Sequence, residues 1–145
     1  MLNLYYVAGL FDGEGWFEIK RAAGSHYRAS RDWAYQCHAF ITMRDKQIIE
    51  ALAEQFGGTA TLVKKRSDKH SDYYAWRVTG KNALAFAESI EPYLIGKKDQ
   101  AQLIIGFQNE KILNGNQPLP DSRYEFYTSC YAKMRELNTK GVGKI

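Results

Sequence analysis

Two carboxylates stand two residues apart among glycines near the start of the chain, in Asp12-Gly13-Glu14-Gly15. The eight residues before them, Leu4 to Phe11, carry no charge and no strongly polar side chain. Asn3 is suited to cap a helix over that stretch, and Gly13 to stop it in the left-handed conformation. Acids at a helix C-terminus lie where the macrodipole is already negative. Holding two of them in a buried place is costly unless something positive joins them. A divalent cation would do so, and hard oxygen ligands suit magnesium. A plain turn between the helix and a strand starting at Trp16 fits the same four residues, and their chemistry alone leaves both readings open.

A helix that is apolar all round must be covered on several sides. Tyr5, Gly9 and Gly13 fall at i, i+4 and i+8, and with Ala8 beside Gly9 they form a stripe that admits another backbone closely. Beyond it, Trp16 to Ala22 reads as a strand with Phe17 and Ile19 inward and Glu18 and Lys20 outward. Trp33 to Thr42 reads as a second strand, with Tyr35, Cys37, Ala39 and Ile41 on one face and Ala34, Gln36, His38 and Phe40 on the other. Asp45 opens a helix carrying Ile48, Ile49, Leu52 and Phe56, which Gly57-Gly58 ends.

The order then repeats: a strand over Thr59 to Lys65, a basic loop over Arg66 to Asp72, and a strand over Tyr73 to Thr79. Tyr74, Trp76 and Val78 face inward there. A helix follows over Asn82 to Ile90, stopped by Pro92. These elements predict an α+β fold of order αββαββα with a four-stranded antiparallel sheet. Further helices are expected over about 97–138, with Ala101, Leu103, Ile104, Phe107 and Ile112 apolar, Asp121 capping the last helix and a loose tail over 139–145. The 145 residues form a single domain, 1–145.

An apolar content of 45% with 14% aromatics excludes a disordered chain. The longest uncharged apolar stretch, Leu2 to Phe11, is too short to span a bilayer, so no membrane partner is expected. Cys37 and Cys130 lack metal-ligand spacing and are expected to be buried thiols of an intracellular protein. The net charge is +4, but it is unevenly placed. Residues 20–46 and 64–81 each hold six basic residues against two acidic ones, while the remainder is net acidic. Such segregation builds a positive face suited to a polyanion.

Val7-Ala8-Gly9-Leu10-Phe11-Asp12-Gly13-Glu14-Gly15 closely resembles the nonapeptide signature of LAGLIDADG homing endonucleases. Ile90-Glu91-Pro92-Tyr93-Leu94-Ile95-Gly96-Lys97-Lys98-Asp99-Gln100 is similar to the family segment that ends in a lysine pair. The resemblance implies the homing-endonuclease fold and a sheet that lies in the DNA major groove. A strand of about 8 residues spans roughly 26 Å, or about 8 base pairs along one strand, which is one half-site. Because the chain carries one motif, the resemblance implies a homodimer that cuts a long, near-palindromic site in double-stranded DNA and leaves 3′ overhangs. It implies no small-molecule cofactor.

Residue roles follow from the same resemblance. Glu14 would bind catalytic magnesium (manganese substituting) with backbone carbonyls near Gly13, so that water is activated and the 3′ leaving oxygen stabilised. Lys97 would stabilise charge on the scissile phosphate. Met43 stands where many members carry a Gln, and Gln47, one turn into the next helix, is the candidate replacement. Tyr5, Ala8, Gly9 and Asp12 are expected at the dimer interface, Asp12 also orienting the turn. Lys20, Arg28, Gln36, His38, Lys65, Arg66, Tyr73 and Arg77 are the candidate DNA contacts, with solvated surface charge as their plainer reading. The implied setting is a bacterial or phage cytoplasm or an organelle, as an intron or other mobile element, with intron, intein and free-standing contexts all left open.

Two other readings compete. Some relatives have lost cleavage and act as intron maturases or transcription regulators. A glycosidase with paired carboxylates is the second, but two acids two residues apart on a turn and two basic segments do not suit it. A calcium loop fails because Trp16 and Phe17 stand where oxygen ligands would be required.

Overall fold

Period-two alternation of apolar and polar residues builds the centre of the molecule. The computed structural model describes residues 1–24, 31–63 and 72–139. Its elements are α1 (Leu4–Glu14), β1 (Gly15–Ala23), β2 (Trp33–Met43), α2 (Lys46–Phe56), β3 (Thr59–Val63), β4 (Tyr73–Thr79), α3 (Gly80–Ile90), α4 (Lys98–Asn114) and α5 (Asp121–Thr139). A 3-10 turn, Glu91–Tyr93, precedes α4. The expected αββαββα order is present, extended by two C-terminal helices.

Two antiparallel hairpins meet along β2 and β4, giving a single sheet in the order β1-β2-β4-β3. Phe17, Ile19, Tyr35, Cys37, Ala39, Ile41, Trp76 and Val78 are buried on its helix side. An aromatic cluster locks this layer. Phe86 of α3 meets Phe11 of α1 at 5.3 Å and Trp76 at 4.8 Å edge-on, and Phe11 meets Phe17 at 4.4 Å. The indole of Trp76 also donates to the Gly57 carbonyl at 2.9 Å, tying the end of α2 to the sheet. Gly57 ends α2 with φ +81°, as expected of a glycine there. Cys37 and Cys130 are free and buried.

Several boundaries differ from those read in the sequence. Gly13 does not stop α1. The helix continues to Glu14 and breaks at Gly15, whose φ is −100°. A Cβ on Gly15 would overlap the Phe11 ring, so the break falls where the backbone lies against that ring. Asp121 is the first residue of α5 and not its cap. Its carboxylate pairs instead with Arg31 at 2.6 Å, and the Pro120 carbonyl accepts from the N–H groups of Arg123 and Tyr124. Ile112, near the end of α4, is 42% exposed. The loops holding Arg28, Lys65 and Arg66, and the tail beyond Thr139, lie outside the described residues. No helix among the described residues is long and apolar enough to cross a membrane.

Candidate active site and nucleic-acid face

Asn3 starts α1 by accepting from the N–H groups of Tyr5 and Tyr6. The helix buries Val7, Ala8 and Phe11 against the sheet and α3. Its opposite side is open: Tyr5 is 69% exposed and Tyr6 45%, and Gly9, Gly13 and Glu14 are exposed. Among the described residues a Cβ added at Gly9 or Gly13 would meet nothing within 4 Å, so none of them requires glycine at either place. Ala8 departs from its expected role. It is fully buried, because one residue along a helix turns the side chain by about 100° and carries Ala8 from the open stripe to the core.

The Asp12 side chain is engaged within its own chain, as a residue that orients the turn would be. Its carboxylate accepts from the backbone N–H groups of Ile95 (2.8 Å), Gly96 (3.1 Å) and Lys97 (3.0 Å), just ahead of α4. The Lys97 ammonium in turn donates to the carbonyls of Phe11 (3.2 Å) and Asp12 (2.7 Å). The C-terminus of α1 and the N-terminus of α4 are thus stitched together, each supplying the charge that the other's free backbone groups favour. Burial lowers the pKa of Lys97, while the charges of Asp12 and Glu14 act in the opposite direction.

Glu14 is left as the exposed carboxylate beside Lys97, at the dipole-negative end of α1. Among the described residues no group of three or more His, Cys, Asp and Glu could hold a metal ion. An ion at this corner would find one carboxylate per chain, with the main-chain oxygens around Gly13 beside it. That donor set suits a hard ion such as magnesium, which keeps several waters and takes phosphate oxygens from a substrate. It does not suit a closed all-protein cage. Gln47 is exposed on the first turn of α2, and among the described residues no hydrogen bond joins it to Glu14, Asp12 or Lys97. Met43 packs against the core.

The sheet face away from the helices is laid out in rows by strand register. Trp16, Phe40, Arg77 and Thr59 form one row, Glu18, His38 and Thr79 the next, and Lys20 and Gln36 a third. Gln36, Lys20 and Arg77 are exposed, as is Tyr73 toward the other end of β4. Trp16 stacks on Phe40 at 4.7 Å, Phe40 on His38 at 5.6 Å, and the Lys20 ammonium sits 5.1 Å from the Phe40 ring centre. His38 lies on this face as expected but is only 4% exposed. Its Nε2 meets Gln36 Oε1 at 3.0 Å, so Gln36, and not His38, presents the polar edge to solvent. Burial, with Lys20 and Arg77 nearby, pushes the His38 pKa down to about 4.

Two basic residues of the first positive segment are turned elsewhere. The Arg21 guanidinium lies between Trp33 (4.2 Å) and Tyr131 of α5 (4.7 Å). Arg31 donates to the Leu119 carbonyl at 2.7 Å and covers Tyr124. Both fasten the far end of the β1–β2 hairpin to α5 and its lead-in loop.

An α1 motif helix with an exposed acid at its foot, a lysine stitched to that foot and a four-stranded sheet with a polar open face together define a homing-endonuclease fold. A family model described as LAGLIDADG endonuclease matches residues 7–105, and the chain belongs to that family. Among solved structures it is similar to the homing endonuclease I-CvuI, in complex with its target in the presence of calcium. Identity there is 20%, with 98% of this chain and 85% of that chain covered at a TM-score of 0.74. It is likewise similar to the archaeal intron-encoded homing endonuclease I-Vdi141I complexed with DNA, at 18% identity, covering 98% and 87%, TM-score 0.75. For I-SmaMI bound to cleaved DNA the identity is 20% and the TM-score 0.72, and this chain spans 49% of that one. No curated protein sequence matches the chain.

Proposed function

We propose that this protein is a homodimeric, magnesium-dependent endonuclease that cuts both strands of a long, near-palindromic DNA site and leaves 3′ overhangs. The observation that carries this is the exposure of Glu14 at the foot of α1, beside a lysine held at the same point by the Asp12 network. An acid left free where the dipole is unfavourable is what a cation-binding residue requires. The open stripe of Tyr5, Gly9 and Gly13 supports the dimer, because a second α1 fits where no Cβ projects and an exposed apolar face favours a partner. Two chains related by a two-fold axis would bring two Glu14 carboxylates together and offer two sheet faces to two half-sites.

Glu14 and the main-chain oxygens near Gly13 would hold the ion. When bound, magnesium supplies an activated water and charge stabilisation at the leaving oxygen. The chain's own residues do the rest. Lys97 keeps its ammonium at the foot of α1 and offers it to the phosphate as negative charge develops there. Asp12 holds that corner in place through residues 95–97. Lys20, Gln36, Tyr73 and Arg77 face the groove from the open side of the sheet, with Arg28, Lys65 and Arg66 assigned from the sequence.

The test is cleavage of a plasmid library bearing randomised palindromic sites, with magnesium or calcium, by the wild type and Glu14→Gln. Discrete cuts with short 3′ overhangs, made only by the wild type in magnesium, are expected. Salt-sensitive binding without any cut would sink the nuclease and leave a cleavage-inactive maturase or regulator on the same fold.

A further inference from the structure

The sheet carries a notch. Pairing of β2 with β4 ends at His38 opposite Thr79, while pairing of β2 with β1 continues through Lys20–Gln36 and Ala22–Ala34 to Ala23–Trp33. From Ala34 to Cys37, β2 therefore has no strand on its β4 side. A lysine from the helix layer enters there instead: Lys111 of α4 donates from Nζ to the Tyr35 carbonyl at 2.6 Å. The notch opens as a hollow of about 570 Å³ whose lining includes Lys20, Gln36, His38, Arg77, Thr79 and Lys111.

The charges of this hollow are one-sided. Among the described residues no carboxylate lines it, and Lys20, Arg77 and Lys111 form no ion pair there. Glu18, next on the same face of β1, lies opposite His38 in the register and does not line the hollow. Arg21 also lines the hollow but is sandwiched between Trp33 and Tyr131. His38 Nδ1 is buried without a hydrogen-bond partner among the described residues, which is unusual for a buried polar atom. Burial also lowers the pKa of Lys111. Three cations that line one hollow together with an amide and a hydroxyl complement a compact oxyanion.

We propose that this notch is a phosphate seat, in which Lys20, Arg77 and Lys111 together receive one phosphate of the DNA backbone and Gln36 and Thr79 hydrogen-bond to it. The proposal rests on the DNA reading above and adds to it a contact borne by a helix and not by the sheet. The shared chemistry is that of a phosphate group, so DNA and free phosphate must be told apart.

Binding of a mixed-sequence duplex is measured over a series of salt concentrations for the wild type, Lys111→Met and Lys111→Arg. Removing one of the three cations should flatten the slope of log K against log salt, by up to about 0.9 for each bound chain, and arginine should restore it. In a second arm, which needs no variant, wild-type protein is titrated with inorganic phosphate or with chloride at matched ionic strength and followed by NMR. The His38 ring and the Gln36 side-chain amide should move with phosphate alone. An unchanged slope in folded Lys111→Met overturns the proposal, as does the absence of any phosphate-specific shift, which decides the matter if that variant does not fold. A wild type that binds no duplex yet shows the phosphate shift would assign the hollow to free phosphate and overturn the DNA reading with it.

Discussion

Asp12 and Lys97 cap each other's helices. The Asp12 carboxylate accepts the Lys97 backbone N–H at 3.0 Å, and the Lys97 ammonium donates to the Asp12 carbonyl at 2.7 Å. Each residue uses both its backbone and its side chain toward the other, so the relative placement of α1 and α4 is fixed twice over. Asp12→Asn keeps the shape but loses the charge that strengthens the bonds to residues 95–97. Hydrogen bonds to a charged group contribute about 1.5–3 kcal/mol, and urea denaturation should show a loss of that order. Cleavage should fall as well, because the same bonds hold Lys97 in place. A variant as stable as wild type would show that the network has been overvalued.

Gly9 gives a prediction that splits in sign. Alanine is favoured over glycine in a helix by about 1 kcal/mol, and a Cβ there meets nothing within 4 Å among the described residues. Gly9→Ala should therefore leave the isolated chain equally or more stable, while Gly9→Leu should shift sedimentation from dimer to monomer. A leucine variant that remained a dimer would remove α1 from the interface.

Gly15 behaves in the opposite way. Its missing Cβ is the space occupied by the Phe11 ring, in a core already filled by Phe17 and Phe86. Gly15→Ala should destabilise by about 1–3 kcal/mol, as overpacking does, and thermal melting reads this directly.

His38 links stability to pH. Its pKa is depressed in the folded chain, from an ordinary 6.5 to about 4, so between those values the unfolded chain binds the extra proton. Stability contributed by neutral His38 is full above about pH 6.5 and declines as pH falls toward 4, by at most about 3 kcal/mol. His38→Gln should flatten that part of the stability profile. Equal slopes in both proteins between pH 4 and 6.5 would show that other groups set it.

The elements governed by local rules were legible in the sequence. Alternation placed Tyr74, Trp76 and Val78 inward and Arg77 outward, and Asp45 and Gly57 bounded α2 through the capping they perform. What failed depended on partners distant in the chain. Gly13 looked like a stop because glycine commonly is one, but the Phe11 ring beneath Gly15 decides where α1 breaks. Ala8 and Gly9 are neighbours in sequence but point to core and solvent respectively. Alternation set His38 on the correct face without showing that Phe40 and Gln36 would cover it. Arg21 and Arg31 counted toward a positive face that they leave in order to clasp α5. Lys111 carried no signal, since in sequence it is one more basic residue on a helix, and only the shortness of β4 beside β2 gives it a place.

Helix α4 begins immediately after Lys97 and carries Lys111 fourteen residues further on. At ~1.5 Å per residue these two lysines stand roughly 21 Å apart along one stiff rod. The helix is thus a ruler with a cation at each end, one at the corner shared with Asp12 and one at the notch. A duplex that touched both marks would have its register against the scissile bond set by backbone length before any base was read. Lengthening the rod by a single residue would move one mark by ~1.5 Å and turn it by about 100°, upsetting alignment while every base-facing side chain stayed in place.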